Sequence, residues 1–392
     1  MDQKIVYDFD RIVSRAGTYA EKYEARERVF GSAEVEPFWV ADMDLPSPAF
    51  LVEALRTRME HPLFGYTEQY AAVFDAIRWW MNDQHQARVE RRWISLSPSV
   101  VTSISIAVQT MTQPGDTVIV LSPVYGPFFS CAKINDRMIA DCPLRVEHGR
   151  FEMDWDALVQ LLSRPDATLL LLCNPHNPGG RVWSATELLR LARLCAAHGV
   201  TLFSDEIHSD IVYPPHRHTS LLAIDEAHAT TIVAHSIGKT FNASGLQASF
   251  TIIPDPILRQ RFRVGLDRTH AGDVNLLGKV ALATALSPAG AEYKRQLVAY
   301  LHENTRRVCE HLQALDGADV MVPEATFLVW CDFRQYGAWP AVFKRLLDNA
   351  RVALSGGTFF GPAGEGWFRI NCAHPRSLLL PAVHRIVAEF RS

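Results

Sequence analysis

The sequence has no runs of basic residues and no long apolar stretch, and each absence excludes a class of protein. Its 39 lysines and arginines and 43 acidic residues give a formal net charge of −4. Because the positive charge is dispersed, the electrostatic footprint of a nucleic-acid-binding protein is missing. No apolar stretch approaches the roughly 20 residues that span a bilayer, and residues 1–4 do not begin a basic-then-apolar signal. We therefore expect a cytoplasmic protein without nucleic-acid or membrane partners.

Cysteine pairs at metal-binding or redox spacing are also missing. The seven cysteines are scattered, and several stand in apolar runs such as residues 171–173. This pattern predicts buried free thiols in a reducing cytoplasm. His216 and His218 follow a Pro-Pro pair and lack a partner cluster at ligand spacing, so we interpret them as part of a solvated turn. No metal site is expected.

The hydrophobic content is sufficient for a large core. Hydrophobic residues make up 48% of the 392-residue chain, and helical and strand patterns alternate along most of it. After the arm and a helix that ends near residue 61, helices are predicted at residues 70–84, 101–112, 155–162 and 185–198, and strands at 117–121, 168–173, 200–204 and 230–235. Alternating elements of this kind predict an α/β fold with a mainly parallel sheet covered by helices.

The pattern changes near residue 288, which suggests a second unit. A long helix is predicted at residues 291–315, followed by short strands at 327–332 and 368–371 and a final helix from residue 377. We therefore predict an N-terminal arm that contributes to the small domain, a large domain and a small α+β domain, at residues 1–47, 48–287 and 288–392.

Three predicted strands are followed by polar residues whose chemistry suits one cofactor. Asn174 follows the strand at 168–173, Asp205 follows the next strand, and Lys239 lies just after the third. The carboxyl ends of parallel strands form a ligand crevice, so these side chains can converge. A lysine amine bonds to the aldehyde of pyridoxal phosphate, an aspartate keeps the pyridine nitrogen protonated, and an asparagine amide donates to the ring oxygen. The combination predicts a pyridoxal-phosphate site.

The motifs around these residues carry a family resemblance. They are Trp39 to Asp44, Phe64 to Thr67, Ser122 to Tyr125, Asn174 to Gly180, Asp205 to His208, Lys239 to Asn242 and Phe368 to Asn371. On these motifs the chain resembles fold-type I pyridoxal-phosphate enzymes of the class I/II aminotransferase superfamily, and within it the MalY/PatB-type cystathionine β-lyases, which cleave carbon–sulfur bonds. The resemblance implies a large cofactor-binding domain with a mainly parallel seven-stranded sheet, a smaller α+β domain and a homodimer.

The resemblance also implies how the cofactor phosphate is bound. Ser99, Val100 and Val101 open a predicted helix, whose first N–H groups suit a phosphate. Family members usually have glycine in place of Ser99. Ser236 is expected to be a second phosphate donor, although a turn serine is the alternative. Aminotransferases typically place a phosphate-binding arginine eight residues after the lysine, and the glutamine found there, Gln247, fits the lyase branch better.

Aromatic and histidine side chains complete the expected cofactor site. Tyr125 is expected to stack on the pyridine ring. Tyr66 resembles a tyrosine that reaches the phosphate bound by the neighbouring subunit, which would make the active site shared. His208 either contacts the ring oxygen or tunes the bond between lysine and cofactor, or is a hydrogen-bonded structural histidine. His176 is assigned to structure.

Substrate binding and catalysis are assigned by the same resemblance. Arg369 is the candidate for the α-carboxylate, because guanidinium offers two parallel donors, and a surface salt bridge is the alternative. The expected substrate contacts are Arg369, Ala41, Asn174 and Tyr125. The expected catalytic residues are Lys239, Asp205 and Tyr66, of which Lys239 removes the Cα proton.

The reaction implied is α,β-elimination from an amino acid that bears sulfur on Cβ, such as cystathionine or another cysteine S-conjugate, to give a thiol, pyruvate and ammonia. An aminotransferase is the first alternative, and Gln247 with the block at residues 39–44 favours the lyase. A biosynthetic enzyme that acts on a larger cysteine conjugate, by elimination or decarboxylation, is a second. A regulatory protein that binds the cofactor and acts through a protein partner is a third.

Overall fold

The computed structural model describes residues 5–391. The first four residues of the predicted arm and Ser392, the last residue of the predicted small domain, lie outside the described residues. The predicted α/β fold class is confirmed. The predicted domain boundaries remain a prediction.

A seven-stranded sheet forms the centre of the larger part of the fold. Its strands are β1 (Ile94–Ser97), β2 (Thr117–Val120), β3 (Met138–Asp141), β4 (Ala167–Cys173), β5 (Thr201–Asp205), β6 (Thr231–Ser236) and β7 (Ser249–Ile252). They lie in the order β1-β7-β6-β5-β4-β2-β3. Strand β7 runs in the direction opposite to that of the other six strands of this sheet. The carboxyl ends of the other strands therefore share one edge.

Helices cover both faces of this sheet and form the second layer of the smaller part. They are α1 (Ala49–Glu60), α2 (Ala71–His85), α3 (Val100–Met111), α4 (Pro127–Lys133), α5 (Trp155–Leu162), α6 (Ala185–His198), α7 (Pro256–Thr269), α8 (Leu276–Ala285), α9 (Pro288–Gln313), α10 (Trp339–Asp348) and α11 (Arg376–Arg391). Every helix predicted from the sequence is present, with ends that differ by a few residues at most. No helix within residues 5–391 is both long and apolar enough to cross a membrane.

Leucines explain why β4 is an interior strand of the sheet. Leu170 and Leu172 point into the core on one face, and Leu169 and Leu171 point into the core on the other. Successive strand residues alternate between faces, so an unbroken apolar run suits a strand that is covered on both sides. This burial places the residues that follow the strand at the sheet's carboxyl edge.

A four-stranded antiparallel sheet follows α9. Its strands are β8 (Asp319–Met321), β9 (Leu328–Asp332), β10 (Ser355–Gly356) and β11 (Trp367–Asn371), in the order β8-β9-β11-β10. It packs with α9, α10 and α11 around a separate apolar core. Strand β11 carries Arg369, and this packing brings that side chain to the carboxyl edge of the larger sheet.

The cysteine prediction is confirmed, whereas the prediction for His218 is wrong. All seven cysteines are buried and none is in a disulfide. His216 is exposed as expected, but the side chain of His218 is 3% exposed and its Nε2 lies 3.1 Å from Glu206 Oε2. Glu206 is a fully buried carboxylate, which requires a partner. The histidine therefore turns inward to supply one.

A buried ion-pair cluster anchors the arm. Lys22 is completely buried, with Nζ 2.9 Å from Asp44 Oδ2 and 3.0 Å from His374 Nε2. Arg15 Nη1 donates to Asp44 Oδ1 at 2.8 Å. Burial alone would raise the pKa of Asp44, but the charge of Lys22 and the bonds from His374 and Arg15 hold it well below its usual range. The carboxylate is therefore charged and fully paired.

Replacing Lys22 with methionine should destabilise the fold, because it leaves Asp44 buried with its main counter-charge removed. Loss of one partner of a buried pair typically costs about 3–5 kcal/mol. The exposed Lys344 provides a matched control, and Lys344→Met should change the free energy of unfolding by less than about 0.5 kcal/mol. Urea unfolding of the two variants, at equal cofactor loading, measures the difference. Equal midpoints would contradict the anchoring role.

Candidate active site

The carboxyl edge of the larger sheet opens into a cavity of about 540 Å³. Asp205 is the last residue of β5, and Lys239 lies three residues beyond the end of β6. Both line the cavity, together with His208, Tyr125 and Arg369. The structure thus brings together most of the side chains that the sequence singled out.

Lys239 lies against the arm. Its Nζ donates to the carbonyl oxygen of Ala41 at 2.6 Å. Burial, and next the positive charge of Arg369, lower the pKa of Lys239 to about 8, although Asp42 and Asp205 oppose this shift. A substantial fraction of the amine is therefore neutral near physiological pH, as nucleophilic attack on an aldehyde requires.

Asp205 is a buried acid at the floor of the cavity. Its Oδ1 accepts from the Ile207 N–H at 3.0 Å. Burial raises the pKa of Asp205 to about 7, against the opposing effects of that hydrogen bond and the charge of Lys239. A protonated pyridine nitrogen would supply the counter-charge that this carboxylate needs.

The start of α3 forms one end of the cavity. Ser99 is the N-cap residue, and its Oγ accepts from the Thr102 N–H at 3.1 Å. Ser99, Val100 and Val101 all line the cavity, as predicted. The first N–H groups of a helix lack intrahelical partners and bind anions readily. Their position fits a phosphate group, and their role in binding it remains a prediction.

Two predicted cofactor contacts do not line the cavity. Asn174 does not line the cavity, and its Nδ2 donates to the carbonyl of Thr219 at 3.1 Å. Ser236 does not line it either, and its hydroxyl donates to the carbonyl of Ala248 at 2.9 Å. The strand ends hold both side chains within the protein interior. Asn174 Oδ1 is buried without a hydrogen-bond partner among the described residues. The roles of Asn174 as a cofactor and substrate contact and of Ser236 as a phosphate donor remain predictions.

Asn177, three residues further along the same loop, is a second asparagine at the candidate site. It lines the cavity, and its Oδ1 accepts from Arg369 Nη1 at 3.0 Å. Its Nδ2 group remains as a donor for a ring oxygen. Both asparagines precede a proline in the run from residue 174 to 178, and that repeat was the sequence signal that could have suggested the second one.

Arg369 is buried and preorganised. Its Nη2 donates to the carbonyl of Trp39 at 2.7 Å and to Ser355 Oγ at 3.3 Å. Its Nε is buried without a hydrogen-bond partner among the described residues. The alternative of a surface salt bridge is excluded by this burial. The unpaired Nε–H is suited to a carboxylate of a bound ligand.

The aromatic and histidine candidates differ in placement. Tyr125 and His208 line the cavity, whereas His176 is buried in the loop as expected. His208 Nδ1 is buried without a partner among residues 5–391, and burial followed by the charges of Lys239 and Arg369 lowers the pKa of His208 well below its usual value. The neutral ring can therefore donate or accept a hydrogen bond.

Tyr66 does not line the cavity of its own chain. It is fully exposed in the irregular segment between α1 and α2. The side chain therefore cannot act on this cavity from within the same chain in this conformation. The predicted role at a neighbouring subunit's site remains a prediction.

The cavity fits pyridoxal phosphate. Helix α3 offers its N-terminus at one end, Asp205 lies buried with its pKa raised, and Lys239 presents an amine whose pKa is lowered. His208 Nδ1 and Arg369 Nε are buried atoms without partners in the described part of the chain. These features together match the aldehyde, the ring nitrogen and the anionic groups of the cofactor and its amino-acid substrate.

A second buried cluster lies behind the lysine loop and was missed by the sequence analysis. Asp210 Oδ2 accepts from Thr240 Oγ1 at 2.8 Å, and Asp210 Oδ1 lies 2.9 Å from His85 Nε2. One ring nitrogen of His235 and Lys294 Nζ are 3.7 and 3.9 Å from the carboxylate. These residues are far apart in the sequence, so no local motif indicates that they form a cluster. It ties Thr240, the residue after Lys239, to the loop that follows β5 and to the end of α2.

Comparison with known proteins gives matches along almost the whole chain. The family described as aminotransferase class I and II matches residues 40–386. Cystathionine β-lyase PatB of Bacillus subtilis (strain 168) is 39% identical over 384 residues, which cover 97% of this chain and 99% of that protein. Protein MalY of Escherichia coli (strain K12) is 29% identical over 391 residues, covering 99% of this chain and 100% of that protein.

A solved structure agrees with these sequence matches. Cystalysin from Treponema denticola, whose structure contains a pyridoxal 5′-phosphate cofactor, has a TM-score of 0.94 and 31% sequence identity to this chain. The similarity covers 98% of this chain and 99% of that chain. It therefore includes the arm, both sheets and every element that lines the cavity.

The lowered pKa of Lys239 predicts how cofactor attachment depends on pH. Only the neutral amine attacks an aldehyde, so the rate at which the cofactor-free protein binds pyridoxal phosphate covalently should rise with pH, with a midpoint near 8. Stopped-flow absorbance from about pH 6 to about pH 10 measures it. Arg369→Met removes a charge that lowers this pKa and should move the midpoint upward. A wild-type midpoint near the ordinary lysine value of about 10.4 would contradict the assignment.

Proposed function

The chain belongs to the class I and II aminotransferase family, and from that premise we propose that it is a pyridoxal-phosphate-dependent carbon–sulfur β-lyase. It converts cystathionine or another cysteine S-conjugate to a thiol, pyruvate and ammonia by α,β-elimination. The observation that carries the proposal is the convergence of Lys239, Asp205, Arg369 and the start of α3 on one cavity. The full-length similarity to PatB, which is named a cystathionine β-lyase, supports this choice of reaction.

The cofactor is held by groups from several elements. Lys239 would form the covalent bond, Asp205 would bind the ring nitrogen, and the first N–H groups of α3 would bind the phosphate. Asn177 donates its amide to the ring oxygen, and Tyr125 packs against the ring face. When bound, pyridoxal phosphate supplies an electron-withdrawing ring that makes the Cα–H of an attached amino acid acidic. Asp205 preserves that capacity by keeping the ring nitrogen protonated.

Arg369 orients the substrate. Its bonds to Asn177 and to the Trp39 carbonyl fix the guanidinium before a ligand enters, so little freedom is lost on binding. The unpaired Nε–H then donates to the α-carboxylate. Ala41, whose carbonyl holds the Lys239 amine, keeps that amine beside the same substrate.

Lys239 is the residue that transfers protons to and from the substrate. With the cofactor and substrate bound, Lys239 would be the base that removes the Cα proton, and its lowered pKa suits that role near neutral pH. The carbon–sulfur bond breaks with its electron pair on sulfur, and Lys239 returns a proton to make the thiol. The remaining three-carbon fragment takes up water and leaves as pyruvate and ammonia.

The residue eight positions after the lysine supports elimination over transamination. Gln247 stands there in place of an arginine, and it is exposed in a left-handed backbone conformation with φ 49°. The phosphate is therefore bound without a cation from this position. The site relies instead on the N-terminus of α3, as the lyase branch of the family resemblance implies.

We propose that the enzyme is a homodimer with shared active sites. Tyr66 projects from the segment between α1 and α2, and Leu63 and Phe64 of the same segment are also exposed. Exposed apolar side chains clustered on one segment are typical of an interaction surface. In such a dimer Tyr66 would reach the phosphate bound by the other chain. The seven buried free thiols support a cytoplasmic location.

Lys239→Ala should abolish pyruvate release from cystathionine, because it removes both the covalent attachment and the base. We expect a loss of at least about a thousandfold, the upper range for a residue that acts as general base. Lys344→Ala, at an exposed residue that does not line the cavity, is the control and should keep the wild-type rate. Coupled measurement of pyruvate gives both rates. Undiminished pyruvate release by Lys239→Ala would refute the mechanism.

Mixing two inactive variants tests the shared site. Tyr66→Ala and Lys239→Ala chains that exchange subunits would form some dimers in which one site is intact. Random exchange makes half of the dimers mixed, so about a quarter of wild-type activity should return. Activity is assayed after the two variants are unfolded and refolded together. No recovery, despite mixed dimers detected by distinct affinity tags, would place Tyr66 outside the neighbouring site.

A further inference from the structure

We propose that the enzyme prefers cysteine S-conjugates whose sulfur carries an aromatic or branched apolar group over cystathionine, which carries a charged amino-acid arm. This inference rests on the proposed lyase function and concerns only the group on sulfur. It follows from the distribution of polar and aromatic residues in the cavity.

The polar residues lie deep in the cavity, whereas its outer part is aromatic. Asp205, His208 and Arg369 are all buried. The outer wall consists of Phe30, Trp39, Trp339 and Phe343, which are half-buried and which we call the aromatic mouth. A substrate anchored by its α-carboxylate and amine must therefore direct its remaining substituent past this mouth.

The aromatic mouth is a continuous surface. The ring centroids of Phe30 and Trp39 are 5.4 Å apart, and those of Phe30 and Phe343 are 6.0 Å apart. Trp339 and Phe343 are 5.1 Å apart and four positions apart on α10, so they share one helix face. Such centroid distances are those of packed aromatic pairs. The wall is formed before a ligand binds.

The apolar core of the small domain holds the aromatic mouth in place. Phe343 stacks on Phe368 of β11 with ring centroids 6.2 Å apart and planes 13° apart. Val342 and Leu346, on the same face of α10, are buried in the apolar core around α9 and α11, and Trp339 and Phe343 pack against that core. The carboxylate-binding Arg369 stands next to Phe368 on the same strand. The distance from the carboxylate anchor to the wall is therefore set by one rigid unit.

The charged residues of the cavity also favour an apolar group on sulfur. The lysines and arginines among the described residues that line the cavity are Lys239 and Arg369. The proposed mechanism uses both, one for the cofactor and one for the α-carboxylate. Cystathionine brings a second carboxylate and a second ammonium group on its distal arm. Its carboxylate would meet aromatic rings and the exposed carboxylate of Glu21, an environment that disfavours an unpaired anion.

The proposed dimer would not supply the missing cation from the segment that carries Tyr66. Residues 61–69 contain no lysine or arginine. Their exposed large apolar side chains are Leu63, Phe64 and Tyr66, and the polar His61 and Glu68 are exposed as well. A neighbouring copy that presents this segment would add further apolar surface to the space beyond the cofactor. An apolar sulfur substituent would be enclosed on more than one side.

The experiment compares three substrates on the cofactor-loaded wild-type enzyme. S-benzylcysteine carries an aromatic group, S-carboxymethylcysteine carries an anion, and cystathionine carries the charged arm. We expect kcat/KM for S-benzylcysteine to exceed that for each charged substrate by about 10- to 100-fold, the range that a hydrophobic pocket can supply. Calorimetric binding to the inactive Lys239→Ala variant should give the same order of affinities. That binding measurement is independent of turnover.

Variants of the aromatic mouth test its part in the preference. Phe343→Ala should lower kcat/KM for S-benzylcysteine about tenfold and should leave a smaller effect on S-carboxymethylcysteine. Phe343→Arg supplies a cation at the half-buried position and should reverse the preference in favour of the anionic substrate. Tyr19→Ala, which removes a ring that is 90% exposed and lies outside the cavity, is the matched control.

The outcomes separate this inference from the lyase proposal. Turnover of cystathionine that equals or exceeds that of S-benzylcysteine would overturn the inference and leave the lyase function intact. Equal losses on all three substrates in Phe343→Ala, with no reversal in Phe343→Arg, would remove the aromatic mouth as the determinant. Failure to release a thiol from any of the three substrates would count against the lyase function itself.

Discussion

The site depends on how the chain holds one irregular segment, residues 39–45, by hydrogen bonds from both parts of the fold. Lys239 and Arg369 donate to backbone carbonyls of this segment. Asn371 donates to two of its carbonyls, each at 2.6 Å, and Asn242 donates to two others at 2.8 and 3.0 Å. The segment therefore couples Lys239, which follows β6 of the large sheet, to Arg369 on β11 of the small sheet. Its backbone, rather than its side chains, sets their separation.

Burial then shifts the pKa values of the two titratable residues Lys239 and Asp205. It lowers the pKa of Lys239 to about 8 and raises that of Asp205 to about 7. Each shift disfavours the charged form, and a cofactor that bonds to the amine and presents a cationic ring nitrogen relieves both. The same protein interior leaves Arg369 Nε without a partner among the described residues. The site is therefore incomplete without its ligands, which explains why these groups are held where they are.

Much of the candidate site could be predicted from the sequence, because the carboxyl ends of parallel strands meet at one edge of the sheet. Lys239 and Asp205 line the cavity for that reason. The sequence alone does not decide between two nearby residues of the same type. Asn174 and Asn177 both precede proline, and only the path of the loop decides which one enters the cavity. His218 was placed in solvent because its partner, Glu206, can be recognised only in three dimensions. The aromatic mouth and the contacts of residues 39–45 could not be predicted from the sequence for the same reason, since both join residues hundreds of positions apart.

The most direct test of the account is to follow the cofactor's absorbance during turnover of a cysteine S-conjugate while thiol and pyruvate are measured in the same sample. The account predicts equal amounts of thiol and pyruvate, with the cofactor spectrum restored when substrate is exhausted. Conversion of the cofactor to its pyridoxamine form without release of thiol would contradict it.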